Sequence, residues 1–369
     1  MIEHVYYLAI VNFLKRVQLS IVTFVVTTLV TLNSLFRRIR MSHENGILLR
    51  GKVRIVDDPQ FPSHDFFQPG REFDCRLRHA AASFLDDAKL VVRSASIKFA
   101  DERIKSPFDV LMNSGEVPLF WDARTFVGFM KVSMRGRGKR YVPYLKKHPQ
   151  AALGGGDSVR RNPTSPNKMI YNSKTTFGFT STDDERFYVR YRLRPVPTPD
   201  PESGLPGKDD HAWLQNPLPD ETRDRNYLKK ATVEALAEAP FEYMLQIQLR
   251  PLPPDEFYRP EWISATVPWN ERRFPFYDLA HVTIDEALDF KENQWTYFDM
   301  GHHPDSLWIP KARSIDDPHS LNHLRVASIW ARRIRLVSYR LFGMTKEFPD
   351  TRDAKDWEGI PPMADPPPP

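Results

Sequence analysis

The chain has 369 residues, enough to bury a large core as a single closed barrel with attached helices. Its 52 basic and 47 acidic residues leave a net charge of +5, too small and too scattered to argue for a nucleic-acid partner. A single cysteine excludes an intrachain disulfide framework and slightly favours a reducing compartment, so a cytoplasmic or membrane-associated setting is expected over secretion.

Residues 17–36 carry no charge and lie between Lys15-Arg16 and Arg37, Arg38 and Arg40. That length could cross a bilayer. Gln18, Ser20, Thr23, Thr27, Thr28, Thr31, Asn33 and Ser34 dilute the apolar run, however, and basic residues at both ends give no orientation. Residues 1–36 are therefore expected to form an apolar helical segment that folds against the domain or lies on a membrane surface, with a membrane anchor as the alternative. No small-residue cleavage site follows, which argues against a signal peptide.

Residues 47–57, 88–101 and 107–112 are rich in Val, Ile and Leu between turn residues and read as strands. In residues 186–194 aromatic or aliphatic residues alternate with arginine, the pattern of a half-buried strand with a solvated arginine face. Tyr243–Leu249 and Ala280–Ile284 add further strands. Helices are predicted over 116–145, 225–240 and 318–342, the last capped by Asp317 or Ser320. Residues 195–223 read as a loop, and the Pro-rich end from 346 to 369 as a disordered tail. The fold class is α+β, an antiparallel barrel with flanking helices, and such a barrel can enclose a cofactor cavity.

Several motifs point nowhere. Gly154-Gly155-Gly156 is followed by no Lys-Ser/Thr and is not a phosphate loop. His302-His303 has no partner at metal spacing, so no metal is expected there. Gly-x-Ser-x-Gly, Cys-x-x-Cys and His-Glu-x-x-His are absent from the sequence.

Longer ordered blocks carry more. Ile55-Val56-Asp57-Asp58-Pro59-Gln60-Phe61-Pro62-Ser63-His64-Asp65-Phe66-Phe67, Gly70-Arg71 and Arg76-Leu77-Arg78-His79-Ala80 open a pattern that continues at Ser96–Asp101 and Met112–Glu116. It returns at Tyr243–Gln248, Phe276–Ile284 and Ser320–Ala327. Together these resemble the coral allene oxide synthases, catalase-superfamily haem enzymes that dehydrate fatty-acid hydroperoxides. The resemblance covers roughly residues 20–340, with a poorly matched middle. It implies a catalase-like haem-type domain over residues 37–345.

Residue by residue, the resemblance makes His43 the distal base that takes and returns the proton of a bound peroxide. Asn113 becomes the distal amide that hydrogen-bonds an oxygen on the iron. Arg40 and Arg76 match arginines that pair with haem propionates. Ser42, before the distal His, leans towards the synthase branch, where Thr stands, and away from catalases, where Val stands. His64 and His79 receive no role and are expected to be structural.

In this superfamily a helix also presents Arg-x-x-x-Tyr, and the phenolate binds iron from the proximal side. At i and i+4 the guanidinium can reach the phenolate and keep it ionised. On this reading Arg325 is the arginine, and the axial position is Ile329, which cannot coordinate iron. Ser328 and His323 lie on other faces of the helix. Tyr339 falls ten residues on, about 15 Å along the helix, and Cys75 is on the distal half. The expectation is thus a haem b protein acting on peroxides, foremost organic or fatty-acid hydroperoxides, with the iron weakly held. The alternative is a haem-free catalase-fold protein whose emptied barrel binds a lipid or a protein partner. Oligomeric state stays open.

Overall fold

Along Glu72–Ala81, Cys75 and Leu77 are fully buried in an apolar interior, while Arg76 and Arg78 alternate with them and point to the opposite face. From Cys75 on, both faces of this strand are covered, whereas outward residues such as Lys52, Arg54 and His281 on the neighbouring strands are exposed. A computed structural model describes residues 2–82, 86–136, 141–196, 200, 203–207, 217–218, 220–252, 260–347 and 350–351. In chain order the elements are α1 (Ile2–Arg37), β1 (Gly46–Ile55), β2 (Glu72–Ala81), β3 (Val91–Lys98), β4 (Asp109–Ser114), α2 (Ala123–Gly136), α3 (Tyr141–Lys147) and α4 (Pro149–Ser158). Then come β5 (Val159–Arg160), β6 (Tyr171–Asn172), β7 (Phe177–Thr180), β8 (Arg186–Val196), α5 (Tyr227–Glu238), β9 (Phe241–Pro251) and α6 (Pro260–Ile263). The chain continues through β10 (Phe276–Ala287), α7 (Phe290–Trp295), β11 (Leu307–Trp308), α8 (Ser320–Ala327) and α9 (Ile329–Phe342).

The predicted antiparallel barrel is observed. Its strands run β8-β6-β4-β3-β2-β1-β10-β9, and β9 pairs back onto β8 from Phe187↔Pro251 to Val196↔Glu242, which closes the ring. β7 and β11 extend from the β8 edge, and β5 pairs with the start of β3. A bulge at Arg50/Gly51 bends β1 against β10, where a Cβ on Gly51 would come within 1.9 Å of the Thr283 carbonyl. The barrel is filled by side chains such as Leu77, Ile97, Tyr191, Leu245, Ile247 and Val282, and His79 bonds Tyr243 Oη inside it at 2.9 Å. Such a barrel can enclose a cofactor cavity, and the haem-free alternative has it hold a lipid; among the described residues the interior is packed core.

Other expectations are corrected by local structure. Residues 116–145 do not make one helix: α2 begins at Ala123 and α3 at Tyr141. Residues 318–342 break at Ser328, whose ψ of 3° ends α8 before α9 starts. The arginine stripe of β8 is a solvated face only in part: Arg186 is exposed and Arg192 and Arg194 are half-buried. Arg190 is buried, donates to the carbonyls of Ser264 and Val267, and stacks on Trp269. Arg192 lies over the Phe276 ring. His302 Nδ1 meets Asp109 Oδ2 at 3.0 Å. Of the Pro-rich end, Asp350 docks on the start of α5, where its carbonyl accepts from Arg225 N and its carboxylate from Asn226; residues 352–369 lie outside the described residues.

The helix α1 lies along α8 and α9. Leu19 joins a buried cluster with Ala123, Ile315 and Leu324, and Lys15 pairs with Asp316 at 3.1 Å. At its other end Arg38 donates to the carbonyls of Phe342 and Gly343.

Candidate functional site

After α1 the chain turns sharply, with Arg38 at φ 55° and His43 at φ 58°. A left-handed conformation is unfavourable for a residue with a Cβ and must be held by its surroundings. The strand β2 does the holding. Arg78 Nη1 donates to the His43 carbonyl at 2.8 Å, Nη2 to the Glu44 carbonyl at 3.0 Å, and Nε to Asn293 Oδ1 at 2.7 Å. The His43 ring sets Nδ1 2.9 Å from Ser42 Oγ. Its Nε2 is buried and has no hydrogen-bond partner among the described residues. Asn113, on β4, stands beside the ring and favours its charged form without making a well-formed bond to Nε2. Burial first, then the charges of Arg78 and Arg325, pushes the imidazole pKa down to about 4, so the ring is neutral at neutral pH.

Next to this segment lies a polar knot built on Gln294 of α7. Gln294 Oε1 accepts from Arg40 Nη1 at 3.0 Å and from Tyr339 Oη at 2.9 Å, while its amide donates to Glu44 Oε1 at 2.9 Å. Arg40 also donates to the Asn293 and Thr296 carbonyls. Burial lowers the Arg40 pKa to about 10. Burial opposes the Glu44 charge, but Arg40 and its backbone N–H outweigh it and hold the carboxyl below its usual range. On α9, Arg335 Nη1 donates to Tyr339 Oη at 2.9 Å and to the Gln294 carbonyl. Both side chains are almost fully buried.

The sequence-derived residues divide accordingly. Arg40, Ser42, His43 and Asn113 come together. Arg76 does not join them: it donates to Asp101 Oδ1 at 2.7 Å and to Glu292 Oε2 at 3.0 Å, in a separate ionic cluster. One strand position of alternate register, Arg78, takes the place beside His43. Arg325 reaches the neighbourhood of His43, and among the described residues its guanidinium has Thr175 Oγ1 at 3.2 Å and Asn322 Oδ1 at 3.5 Å as its only hydrogen-bond partners. Burial, then Arg332, lowers its pKa to about 10. Ile329 is not one turn below Arg325 on a common helix, because the break at Ser328 separates them; it packs near Leu336 and Tyr339.

Arg78, Gln294, Arg335 and Tyr339 join this network without having been singled out from the sequence. The signal for two of them was available: Arg335-Leu336-Val337-Ser338-Tyr339 is itself an Arg-x-x-x-Tyr, unbroken and within one helix.

Superposition on solved structures gives a TM-score of 0.62 with a bacterial catalase, at 16% identity over 88% of this chain and 62% of that one. Catalase A from Saccharomyces cerevisiae gives 0.60 at 15% identity, over 83% and 63%, and a fungal catalase 0.59 at 18%, over 88% and 65%. The fold is catalase-like. The catalase-like chain is also 34% identical over 315 residues to the allene oxide synthase-lipoxygenase protein of Plexaura homomalla, covering 84% of this chain and 29% of that protein. It is 26% identical over 304 residues to the linolenate 9R-lipoxygenase of Nostoc sp., covering 76% and 36%. The chain thus spans about a third of the length of these curated relatives. No family model matches it.

Proposed function

We propose that the chain is a haem-dependent, catalase-like enzyme that processes hydroperoxides, in which Tyr339 would hold the haem iron. The observation that carries this reading is the Arg335–Tyr339 pair, 2.9 Å apart at i and i+4 of α9. That spacing and contact suit a phenol that must ionise to bind iron. A buried imidazole nitrogen without a partner and a buried-side guanidinium without a carboxylate fit the same group. Tyr339 would hold the iron, exchanging its bond to Gln294, and Arg325 and Arg40 are the cations for the propionates.

When bound, haem supplies cleavage of the O–O bond. The chain's own residues supply proton handling. With Nδ1–H donating to Ser42 Oγ, His43 Nε2 carries the bare lone pair and can accept the hydroperoxide proton. Its depressed pKa keeps that lone pair available across the neutral range. Asn113 is placed to orient the peroxide oxygens beside the ring. The name of the Plexaura homomalla relative supports a fatty-acid hydroperoxide as substrate and its dehydration as the reaction. The packed barrel leaves the lipid-carrier alternative without the interior chamber it needs.

Absorption spectra of the protein expressed with haem test the reading. Wild type should carry a co-eluting Soret band, Tyr339→Phe should lose it, and Ile329→Tyr should leave it unchanged. A band that survives in Tyr339→Phe, or appears only in Ile329→Tyr, overturns the assignment. Consumption of a fatty-acid hydroperoxide by the loaded protein tests the substrate class.

A further inference from the structure

The polarity of α1 is inverted for a helix on the surface of a water-soluble domain. Its outward face shows Phe13, Ile21, Phe24, Leu29, Leu32 and Phe36, with Phe24 at 72% and Phe36 at 75% exposure. Its inward face carries Thr23, Thr27 and Thr31, four residues apart on one stripe, whose buried hydroxyls have no partner among the described residues. Beside it, α9 turns Arg335 and Tyr339 inward and exposes Trp330, Val337, Leu341 and Phe342. The two helices pack along each other, so their exposed strips run side by side. From Phe13 to Phe36 the strip is about 35 Å long. Contiguous apolar surface on this scale marks a contact site.

Charge selects the contact. Neither residues 17–36 nor α9 contains an Asp or Glu. The exposed charges bordering the strips are Arg16, Arg37, Arg333 and Arg340, with Arg333 beside the Trp330 ring. A face of phenyl and aliphatic groups, edged by arginines and a tryptophan and devoid of carboxylates, complements an anionic lipid surface. The packing favours lying on a bilayer over crossing it, since Lys15 and Leu19 of α1 and Arg38 just after it fasten the helix along the body of the domain.

We propose that the α1–α9 face is a monotopic membrane-docking surface, with α1 lying in the interfacial plane of a bilayer containing anionic phospholipid. Lipid docking is independent of what the site binds. The test is co-sedimentation of the full chain with phosphatidylcholine vesicles, with and without phosphatidylglycerol, alongside light scattering of the protein alone. Binding should require phosphatidylglycerol and weaken with salt. Phe24→Glu with Leu32→Glu should weaken it at least about tenfold. Arg333→Gln and Arg340→Gln alter only solvent-exposed charges and should each cost about fivefold. Failure to sediment, or binding indifferent to both sets of variants, overturns the proposal. So does a wild-type dimer that Phe24→Glu splits while vesicles go unbound, because the face then belongs to a second copy.

Discussion

Arg78 Nη1 lies 2.8 Å from the carbonyl oxygen of His43, so a barrel strand directly fastens the one residue of the site whose backbone is left-handed. The fork of the guanidinium holds two successive carbonyls, a task a point charge cannot reproduce. Arg78→Lys should therefore retain charge and lose position. We expect about 2–3 kcal/mol less stability by urea unfolding and weaker haem retention in the same protein. Arg76→Gln, two residues along β2, should cost stability by breaking the Asp101 and Glu292 pairs yet leave haem retention at the wild-type level. Equal haem loss in both variants would contradict the division of roles between them.

Tyr339 supports structure and cofactor chemistry through one oxygen. In haem-free protein, Tyr339→Phe removes the contacts with Gln294 and Arg335 and should cost about 1–2 kcal/mol. Gln294→Ala should cost at least as much, since Glu44, Arg40 and Tyr339 all lean on it, yet still permit a Soret band. Calorimetry of haem-free protein and spectra of loaded protein separate the two effects.

Legibility of the chain followed physical rules with identifiable limits. The strands at 47–57, 107–112, 243–249 and 280–284 overlap observed elements because apolar residues there face the packed interior. β2 was absent from the expected strands because its outward residues are arginines, whose partners Asp101, Glu292 and Asn293 lie far away in sequence. The expected geometry around Ile329 differs for a related reason. Helical periodicity runs smoothly through 318–342, and nothing local in Ser328 announces the break that detaches Ile329 from Arg325. Tyr339 was set aside on its distance from Ile329, although its own i−4 neighbour is an arginine.

Acid should destabilise the fold from well above the carboxylate range. Burial lowers His64 to about 4, His79 to about 3 and His319 to about 4, from 6.5 in an unfolded chain. Between those values the unfolded chain binds more protons than the native one, so stability rises with pH there. The histidine contribution should be flat above about pH 6.5 and fall towards pH 4, by up to about 1.4 kcal/mol per pH unit for each histidine. Urea unfolding at about pH 7, 6 and 5 checks this, and no loss between the last two would count against the buried neutral rings.

The Lys98–Asp109 pair is fully enclosed at 3.0 Å, and burial lowers the lysine pKa. Lys98→Met should cost about 3–5 kcal/mol by stranding a buried carboxylate. Adding Asp109→Leu should recover only part of that, because Asp109 also accepts from Asp299 N and meets His302. Full recovery in the thermal melt of the double variant would show that those two bonds contribute nothing.

A filled barrel has a consequence for how this site can change. On β2 the odd-numbered positions Cys75, Leu77 and His79 answer to the interior, and the even-numbered Arg76 and Arg78 to the layer outside. One strand thus carries two independent texts, interleaved letter by letter. Ligand preference can be rewritten in the outer text and in the helices that face it, while the inner text, and with it the fold, is left as it stands.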